Sequence, residues 1–579
     1  MDLHIYDHNC NNLKDSLQIN WNGERINDLL EKNRKEIRHQ YLNIISKIIK
    51  RNTQLYEFMK VEEINLVKMS LINEKNPFKS QSIHQCLKLL LVEKLVKTKK
   101  IKKILYHGKN PQLEKSLKIL CKNLNIKFRC LNFILDLSKN KIFSFFDGNI
   151  FFIKQIIKNI GLKKNFKEYS NVSIFSYFVH FSSTKKMKFK SNLWGNLSKY
   201  FNSEKKNINW FHFYVPSHQV HNSNKANLLR KNFNLNKYEN HNFINSYLSK
   251  KEFLKSYFLF CNLYLKNIFL LSSKNFFLKD KYSNVSFYYF LKDDYLSSFF
   301  GSTLIYNIMN VIMFKNLLKK IPKQKVGIYI IENQSWEHCF IKFWKKYRHG
   351  KLIAYFNSSI RFWDLRYLKH MNEYKDKSEN PDLYLLNNKI FESEAKKLGF
   401  PNKKIFVVEA LRYSKLSPVT KKIKNKKIII IGDILFDETE FLLNFIDKIE
   451  NRLKNFKFFF KPHPTMTKKT ISYLSKKYTY LKVVNINSEK FKNFEFAICS
   501  NGTSANLDCL MQKINFCSVK PYNSLNLYPI EKYQKYFQVK TAHELVERIK
   551  NPRLIKSEMI FENTQNISKF KNIFKRVGL

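Results

Sequence analysis

The sequence predicts an α/β protein built on doubly wound parallel sheets, and three observations support this prediction. Apolar, strand-like runs alternate with helical patterns at short spacing in the second half of the chain. These runs contain few polar residues, as expected for strands whose two faces are both covered by helices. At 579 residues the chain is also too long for one hydrophobic core. We therefore expect two Rossmann-like sheet domains in series, preceded by an α/β extension.

Residues 1–165 are expected to form the N-terminal extension, with a helical and charged opening. Residues 101–106 and 126–133 have the pattern of strands, and residues 112–123 between them have the pattern of a helix. The basic loop 107–111 follows the first of these strands. We favour an ordinary turn that caps a helix over a binding site for this loop.

Residues 166–415 are expected to form the first large sheet domain. Its clearest strand is 326–331, followed by a helix at 338–347. Residues 251–320 have helical patterns, whereas the Asn- and His-rich residues 218–250 are typical of a loop or insertion. Further strands are expected at 172–181, 208–215, 352–356 and 383–386, with a helix at 193–201.

Residues 416–579 show the most regular alternation and are expected to form the second, C-terminal sheet domain. Predicted strands cover 427–431, 456–460, 481–485, 494–499 and 515–519, and predicted helices cover 438–451, 468–477 and 505–512.

The chain carries a formal charge of +58, from 104 Lys and Arg against 46 Asp and Glu. This balance is typical of proteins that bind nucleic acid or anionic membranes. Abundant Lys, Asn, Ile, Phe and Tyr, with only 12 Gly and 12 Pro, also fit an AT-rich coding sequence. Because the lysines are spread over nearly every predicted helix, we expect no nucleic-acid partner, but some attraction to anionic lipid.

The cysteines and the apolar segments favour a cytoplasmic protein, peripheral at the inner face of the cytoplasmic membrane. The nine cysteines are scattered and form no C-x-x-C pair, so neither a disulfide framework nor a zinc site is expected. The N-terminus lacks the pattern of a signal peptide. Residues 253–271 are the most apolar long stretch, but Lys255 and Lys266 interrupt it. We expect a buried core helix there, with a surface-lying amphipathic helix as the alternative.

Two polar elements follow two predicted strands of the C-terminal domain. Lys461 and His463 belong to a Lys-Pro-His-Pro sequence, and the second element is a hydroxyl loop, Ser500-Asn501-Gly502-Thr503-Ser504. Ligands of parallel sheets bind at the carboxyl ends of the strands. A cation, an N–H donor, hydroxyls and a close-approaching glycine are the groups that bind a phosphate. The alternative is structural: the prolines end a strand, and Thr503 or Ser504 caps the next helix.

Candidate residues for catalysis and sugar binding lie after two strands of the middle domain. Glu332, Gln334 and Glu337 follow the strand at 326–331. A carboxylate there could serve as base or stabilise a positively charged sugar, although Glu337 could equally be a first-turn helix residue. The second group is Arg361, Trp363 and Asp364, whose side chains suit a sugar ring, its hydroxyls or an acidic sugar. A buried structural cluster would have the same sequence.

Arg412 and Gly432 complete the candidate donor site. Arg412 lies near the boundary at 415 and could bind a phosphate, and Gly432 ends the first strand of the C-terminal domain. A plain linker or turn accounts for either residue alone. The sequence contains no P-loop, H-E-x-x-H, G-x-S-x-G or Asp-x-Asp pattern, so we expect no metal site.

The Lys-Pro-His-Pro element and the hydroxyl loop resemble the donor site of GT-B glycosyltransferases, including sialyltransferases and Kdo transferases, whose HP and Ser/Thr motifs bind CMP. Residues 332–337, 349–353, 359–367 and 409–413 are similar to a family of surface carbohydrate biosynthesis proteins from lipopolysaccharide and O-antigen gene clusters. Glu74-Lys75-Asn76-Pro77 and Asn209-Trp210 also resemble that family. The resemblance is strongest over 326–370 and 458–505.

This resemblance implies a metal-independent GT-B glycosyltransferase with two Rossmann-like domains that face a cleft. It implies a nucleotide-sugar donor such as CMP-linked Kdo or a related ulosonic acid, no other cofactor, and a glycan or lipid-linked acceptor. An acidic residue between 332 and 364 would act at the anomeric carbon. A polyol-phosphate transferase of the teichoic-acid type, a basic nucleic-acid-binding protein and a non-catalytic sugar-binding protein are the alternatives.

Overall fold

The structure is a computed structural model of the chain. It describes residues 1–7, 17–132, 140–164, 170–179, 181–183, 189–217, 220–277, 283–369, 373–374, 376–419, 423–552 and 567–579. The chain divides into two compact units. Unit 1 contains Met1–Asn357, Leu365–Glu409 and Ile567–Leu579, and unit 2 contains Ser358–Asp364 and Ala410–Asn566. The domain boundaries expected at 165 and 415 stay a prediction.

The first part of unit 1 is a small parallel sheet with helices. In chain order its elements are β1 (Asp2–Tyr6), β2 (Gln18–Asn20), α1 (Glu24–Lys32), α2 (Arg34–Leu55), β3 (Lys60–Val61), β4 (Ile64–Asn65), α3 (Leu71–Glu74), α4 (Ser82–Thr98), β5 (Lys103–His107), α5 (Pro111–Leu124), β6 (Lys127–Cys130) and α6 (Lys141–Asn159). The strand order is β2-β1-β5-β6, with every pair parallel. The expected helical opening is therefore wrong for β1, whose Leu3 and Ile5 are buried.

The second part of unit 1 contains a seven-stranded sheet and a separate antiparallel pair of short strands, Phe181–Ser183 and Phe189–Ser191. Its elements are β7 (Val172–Tyr177), β8 (Phe181–Ser183), β9 (Phe189–Ser191), α7 (Leu197–Ser203), β10 (Ile208–Phe213), α8 (Ser223–Phe233), β11 (Glu239–Phe243), α9 (Lys250–Leu270), α10 (Ser273–Phe276), α11 (Tyr288–Phe300), α12 (Ser302–Lys320), β12 (Val326–Ile330), α13 (Ser335–Lys346), β13 (Lys351–Tyr355), β14 (Leu383–Leu386), α14 (Lys389–Lys397) and β15 (Ile405–Val407). The order is β11-β10-β7-β12-β13-β14-β15, all parallel, and the chain reverses direction across the sheet between β7 and β12.

The Asn- and His-rich stretch at 218–250 is ordered structure where it is described, so the expected loop is wrong for α8 and β11. Every residue of β11 is buried although its sequence is Glu-Asn-His-Asn-Phe. Two of its polar side chains pair with neighbouring strand β10: Asn240 donates to Asn209 at 3.3 Å, and His241 Nδ1 lies 3.0 Å from His212 Nε2. Hydrogen-bonded polar groups can be buried without a large penalty, and hydropathy does not detect this pairing.

Unit 2 contains a six-stranded sheet. Its elements are β16 (Lys427–Ile431), α15 (Phe436–Asp447), β17 (Lys457–Lys461), α16 (Lys468–Lys477), β18 (Leu481–Val483), β19 (Phe496–Ser500), α17 (Ala505–Met511), β20 (Phe516–Val519), α18 (Gln534–Phe537), β21 (Gln538–Val539) and α19 (Ala542–Lys550). The order is β18-β17-β16-β19-β20-β21, all parallel. Ile428, Ile430 and Ile498 lie in its core. The predicted class, two doubly wound parallel sheets with an α/β extension, is confirmed.

The last helix, α20 (Ser568–Arg576), belongs to unit 1. The ring of Phe574 packs against Phe201, with 5.3 Å between ring centroids. The Glu409 carboxylate accepts hydrogen bonds from the Lys569 and Phe570 main-chain N–H groups at 2.7 and 3.1 Å. Glu409 therefore holds the first turn of α20.

Helix α9 covers most of the apolar stretch at 253–271. One face of α9 is buried, as expected for a core helix. Leu254, Phe258 and Phe269 on the opposite face are exposed, so the expectation that the whole helix is buried is wrong. Among the described residues, no single helix is long and apolar enough to cross a membrane. Helices α11 and α12, which are bent by 44° relative to one another, are long and apolar enough only when they are taken together, and only by length and composition.

Candidate functional site

The carboxyl edge of the unit 2 sheet carries most of the predicted donor-site residues. Lys461 ends β17 and Ser500 ends β19, with β16 between these strands. Because neighbouring strands lie about 4.8 Å apart, the ends of β17 and β19 are about 10 Å apart. The chain order reverses between β16 and β19, and such a switch point is where doubly wound sheets bind ligands.

The hydroxyl loop, residues 500–504, has a buried part and a partly exposed part. Ser500 and Asn501 are each 1% exposed. Thr503 and Ser504 are partly exposed. The two buried side chains therefore shape the loop, and Thr503 and Ser504 are the hydroxyls that a ligand can reach.

A network of side-chain amides fixes Asn501. Gln538 donates to Asn501, and Asn501 donates to Asn526 at 3.4 Å. Asn526 in turn donates to Gln534 at 2.7 Å. Each group is satisfied by another amide instead of water, so Asn501 has a structural role in this network. Sequence analysis did not identify Gln538 or Asn526, which follow Asn501 by more than 20 residues.

Asp433 holds the hydroxyl loop from the end of β16. The Ser500 hydroxyl donates to Asp433 Oδ2 at 3.0 Å, and a Cβ atom on Gly502 would lie 3.0 Å from the same oxygen. Glycine is therefore favoured at 502, because without a side chain the main chain can lie close to the Asp433 carboxylate. Burial raises the pKa of Asp433, and burial together with Asp433 raises the pKa of Glu438 to about 8. Protonation of Glu438 near neutral pH limits negative charge at this edge.

Gly432 lies in a tight position beneath this loop. Its main-chain N–H donates to the Lys461 carbonyl at 3.1 Å. A Cβ atom at Gly432 would lie 3.2 Å from the side chain of Thr439. Gly432 thus joins the ends of β16 and β17.

Arg412 and Lys461 provide positive charge at the loop. The Arg412 guanidinium donates to the Ser504 hydroxyl oxygen at 3.0 Å. Burial lowers the pKa of Lys461, Asp508 raises it, and Arg412 lowers it. Asp508 and Arg412 therefore both act on the charge of Lys461. Asp508 also accepts a hydrogen bond from Ser488 at 2.6 Å.

The structure separates the roles of Thr503 and Ser504. The Thr503 hydroxyl oxygen accepts a hydrogen bond from the Ala505 main-chain N–H at 3.3 Å. Ser504 precedes α17 but makes no side-chain capping bond. The expectation that one of these two residues caps the helix is therefore met by Thr503, whereas the Ser504 hydroxyl pairs with Arg412.

His463 is partly exposed just beyond β17. The Thr465 main-chain N–H donates to His463 Nδ1 at 3.3 Å, and the Thr465 hydroxyl lies 2.8 Å from the same nitrogen. A main-chain N–H can only donate, so Nδ1 is the acceptor and the neutral ring carries its proton on Nε2. Nε2–H is then the group that can donate to an anionic oxygen.

Arg361, Trp363 and Asp364 belong to a short segment of unit 2 and are buried. Arg361 donates to the Gly502 carbonyl at 3.0 Å, and its guanidinium lies 4.0 Å from Asp364. Arg361 therefore stabilises the main chain of the hydroxyl loop at Gly502. The sugar-binding role of Trp363 and the catalytic role of Asp364 stay predictions.

In unit 1, Glu332, Gln334 and Glu337 lie at the switch point after β12. Glu337 is 2% exposed, and its Oε1 atom accepts hydrogen bonds from the N–H groups of Glu332 and Gln334 at 2.9 and 3.0 Å. Gln334 and Glu337 form a capping box at the start of α13. The Gln334 side chain donates to Glu332 at 2.6 Å. Asn333 between them has a left-handed backbone with φ of 50°, a strained conformation that occurs often at functional sites.

Burial raises the pKa of Glu337 to about 8. Within the described part of the chain, its Oε2 atom has no hydrogen-bond partner. The positive charge of Lys369 acts in the opposite direction and lowers the pKa of Glu337. The neighbouring His338 is also affected: burial, together with Lys369, Lys68 and Lys75, lowers its pKa to about 3. Sequence analysis did not predict this group of lysines, because they come from separate segments of unit 1.

Among the described residues, no group of three or more His, Cys, Asp or Glu side chains is arranged to hold a metal ion.

No known protein family matches the sequence, and no curated protein matches it. Several solved structures resemble the fold. A UDP-GlcNAc 2-epimerase from Neisseria meningitidis has 9% identity and a TM-score of 0.36, over 70% of this chain and 98% of its own. The lipopolysaccharide outer core galactosyltransferase WaaB has 12% identity and a TM-score of 0.34, over 70% and 99%. A glycosyltransferase from Rickettsia africae ESF-5 has 10% identity and a TM-score of 0.38, over 71% and 99%. These similarities are too low to assign a family or a function.

Proposed function

We propose that the protein is a glycosyltransferase that takes a sugar from a nucleotide-activated donor. The observation that supports this most directly is the contact of Arg412 with Ser504 beside Lys461. A departing nucleotide carries negative charge on its phosphate, and preorganised cations and hydroxyls stabilise such charge as it develops. His463 Nε2–H and the Thr503 hydroxyl supply two further donors at the same sheet edge.

The finer proposal is a GT-B enzyme of bacterial surface polysaccharide synthesis, which needs no metal ion. Its donor would be a CMP-activated ulosonic acid such as Kdo, and its acceptor a glycan or a lipid-linked glycan. The support is the resemblance of the Lys461-Pro-His463-Pro element and the hydroxyl loop to CMP-binding motifs. Arg361 is engaged with Gly502 and Asp364, so it is a weaker candidate than Arg412 for binding an anionic group.

For the proton of the acceptor hydroxyl, we favour Glu332 over Glu337. Glu332 is partly exposed, whereas Glu337 is buried and its Oε1 atom is held by two main-chain N–H groups. A general base must come within hydrogen-bond distance of the proton that it removes. Glu337 is then a positioning residue, which fixes the Glu332 main chain through the 2.9 Å hydrogen bond.

A nucleotide screen tests the proposal. Purified protein is heated with CMP, CDP, UDP or GDP, and a ligand that binds the folded state raises the melting temperature. We expect at least one nucleotide to do so, with CMP as the specific prediction, and its sugar donor to release it when a glycan acceptor is added. Stabilisation by none of them, with folding intact, would contradict the proposal. EDTA in a parallel reaction tests the predicted independence from metal.

Two histidine variants add a matched control. His463→Ala should weaken nucleotide binding about tenfold without a large change in melting temperature, because the imidazole is partly exposed. His543→Ala, on the exposed surface of α19, should leave binding unchanged. Release of CMP from CDP-glycerol, instead of from a nucleotide sugar, would favour the polyol-phosphate alternative. Steeply salt-dependent binding of single-stranded DNA without nucleotide binding would favour the nucleic-acid alternative.

A further inference from the structure

Helix α6 carries its apolar side chains on the outside. Six of its residues are between 52% and 68% exposed: Ile142, Phe143, Phe146, Ile150, Ile153 and Ile157. Its buried positions hold Phe152 and three small or polar residues, Ser144, Gly148 and Asn159. A continuous apolar face of this kind is unfavourable in water and marks a surface that another molecule covers.

Close packing on the inner face fixes this orientation. A Cβ atom on Gly148 would lie 2.7 Å from the ring of Phe260 and 3.2 Å from the main chain of Gly301. A Cβ atom on Gly301 would lie 2.8 Å from the Ser144 carbonyl oxygen. Because these contacts leave no room for larger side chains, α6 cannot rotate to bury its Ile and Phe residues.

Helix α9 lies antiparallel beside α6 and extends the exposed face. The Tyr257 hydroxyl donates to the Asn149 side chain at 2.8 Å, and near the other end Lys141 donates to the Ile268 carbonyl at 3.5 Å. The exposed apolar residues of α9 are Leu254, Phe258, Leu265, Ile268, Phe269 and Leu270. We call the exposed sides of these two helices the α6/α9 face.

The charge around the α6/α9 face is strongly positive. Residues 141–164 and 250–274 contain ten lysines against one Asp and one Glu. A shallow depression on the surface of α9 is lined by Leu254, Phe258 and Leu259 together with Lys251, Lys255 and Asn262. Apolar side chains and lysines thus lie close together on the same helices, which is the pattern of helices that lie in the interface of an anionic bilayer.

We propose that the α6/α9 face docks the protein on an anionic phospholipid bilayer. The Ile, Leu and Phe side chains enter the boundary between headgroups and acyl chains, and the lysines contact lipid phosphates. The two helices lie parallel to the membrane plane and do not cross it. This proposal rests on unit 1 alone and is independent of the nucleotide site.

Vesicle flotation tests the proposal with the full-length protein. We expect the protein to float with vesicles of 70% phosphatidylcholine and 30% phosphatidylglycerol, and to bind pure phosphatidylcholine much more weakly, since each lysine near an anionic surface adds attraction. The triple variant Phe146→Ser, Ile150→Ser, Ile153→Ser should lower the partition coefficient at least about a hundredfold. The control Leu235→Ser, Tyr473→Ser, Tyr522→Ser removes three exposed apolar side chains elsewhere and should float like the unmodified protein.

A second triple variant, Lys154→Glu, Lys251→Glu, Lys266→Glu, keeps every apolar side chain and should also abolish binding to the anionic vesicles. Failure of the unmodified protein to float, or equal flotation of all variants, would overturn the proposal. Light scattering tests the alternative that a second copy of this chain, and not a bilayer, covers the α6/α9 face. A dimer that the serine substitutions convert to a monomer would assign the face to a second copy of this chain and would equally overturn it.

Discussion

The buried carboxyl group of Glu337 predicts a specific dependence of stability on pH. Burial raises its pKa to about 8, from a value of 4.5 in the unfolded chain. A carboxyl group with a raised pKa binds its proton more tightly in the folded state. Its stabilising contribution is therefore complete below pH 4.5, and it is lost as the pH rises through 8. Glu337→Gln removes this dependence, because the amide oxygen can still accept hydrogen bonds from the main chain.

The size of the effect follows from the two pKa values. One pKa unit corresponds to about 1.4 kcal/mol, so the rise from 4.5 to about 8 means that ionisation of Glu337 costs the folded state on the order of 5 kcal/mol at pH 9. Entry of water on ionisation reduces this to about 2–3 kcal/mol. Since 1 kcal/mol shifts the melting temperature of a large domain by about 2–4 °C, the variant should melt roughly 5–10 °C above the unmodified protein at pH 9.

Differential scanning calorimetry between pH 5 and pH 9 measures the effect. At pH 5 the two proteins should melt within about 2 °C of one another, and the difference should grow up to about pH 8 and level off above it. Glu544→Gln is the matched control, because Glu544 also completes a capping box but is exposed. A difference between Glu337→Gln and the unmodified protein that stays constant with pH would refute the reasoning.

Three further substitutions test other parts of the structure. Gly502→Ala places a Cβ atom 3.0 Å from Asp433, so it should weaken nucleotide binding about tenfold by calorimetry; unchanged affinity would mean that the loop conformation does not matter. Gln538→Ala leaves buried amides without partners and should cost about 1–3 kcal/mol of unfolding free energy in urea; a neutral result would show that the network adds nothing. Glu409→Ala removes the hydrogen bonds that hold α20, and limited proteolysis should cut residues 567–579 faster than in the unmodified protein; equal rates would argue against this anchor.

The regular strands of unit 2 were predictable because a short run of apolar residues indicates a strand that is buried on both faces. The predicted strand 427–431 and helix 468–477 match β16 and α16 in both bounds. β11 was missed because its polar side chains are buried in pairs with residues far away in sequence. β1 was missed because its alternation of partly buried and buried residues extends over only five positions, too few to identify a strand from sequence.

The donor site was partly predictable, because residues after parallel strands meet at one sheet edge whatever their sequence separation. The positions of Lys461 and His463 follow from this rule. The contact of Arg412 with Ser504 and the support of Gly502 by Arg361 do not, since no local pattern encodes a distance between separate segments. The outward apolar face of α6 was likewise hidden, because periodicity alone does not say which face of a helix is covered.

The affinity of Arg412→Ala for nucleotide is the most direct measurement of whether phosphate binds at the carboxyl edge of the unit 2 sheet. Isothermal titration with the nucleotide that stabilises the protein most should give a dissociation constant about 10–100 times weaker than for the unmodified chain, since a charge-assisted hydrogen bond contributes about 1.5–3 kcal/mol. Lys482→Ala, which removes an exposed lysine on β18, should bind as the unmodified protein does. Equal affinities for all three proteins would place the phosphate elsewhere and remove the basis for the proposed enzyme.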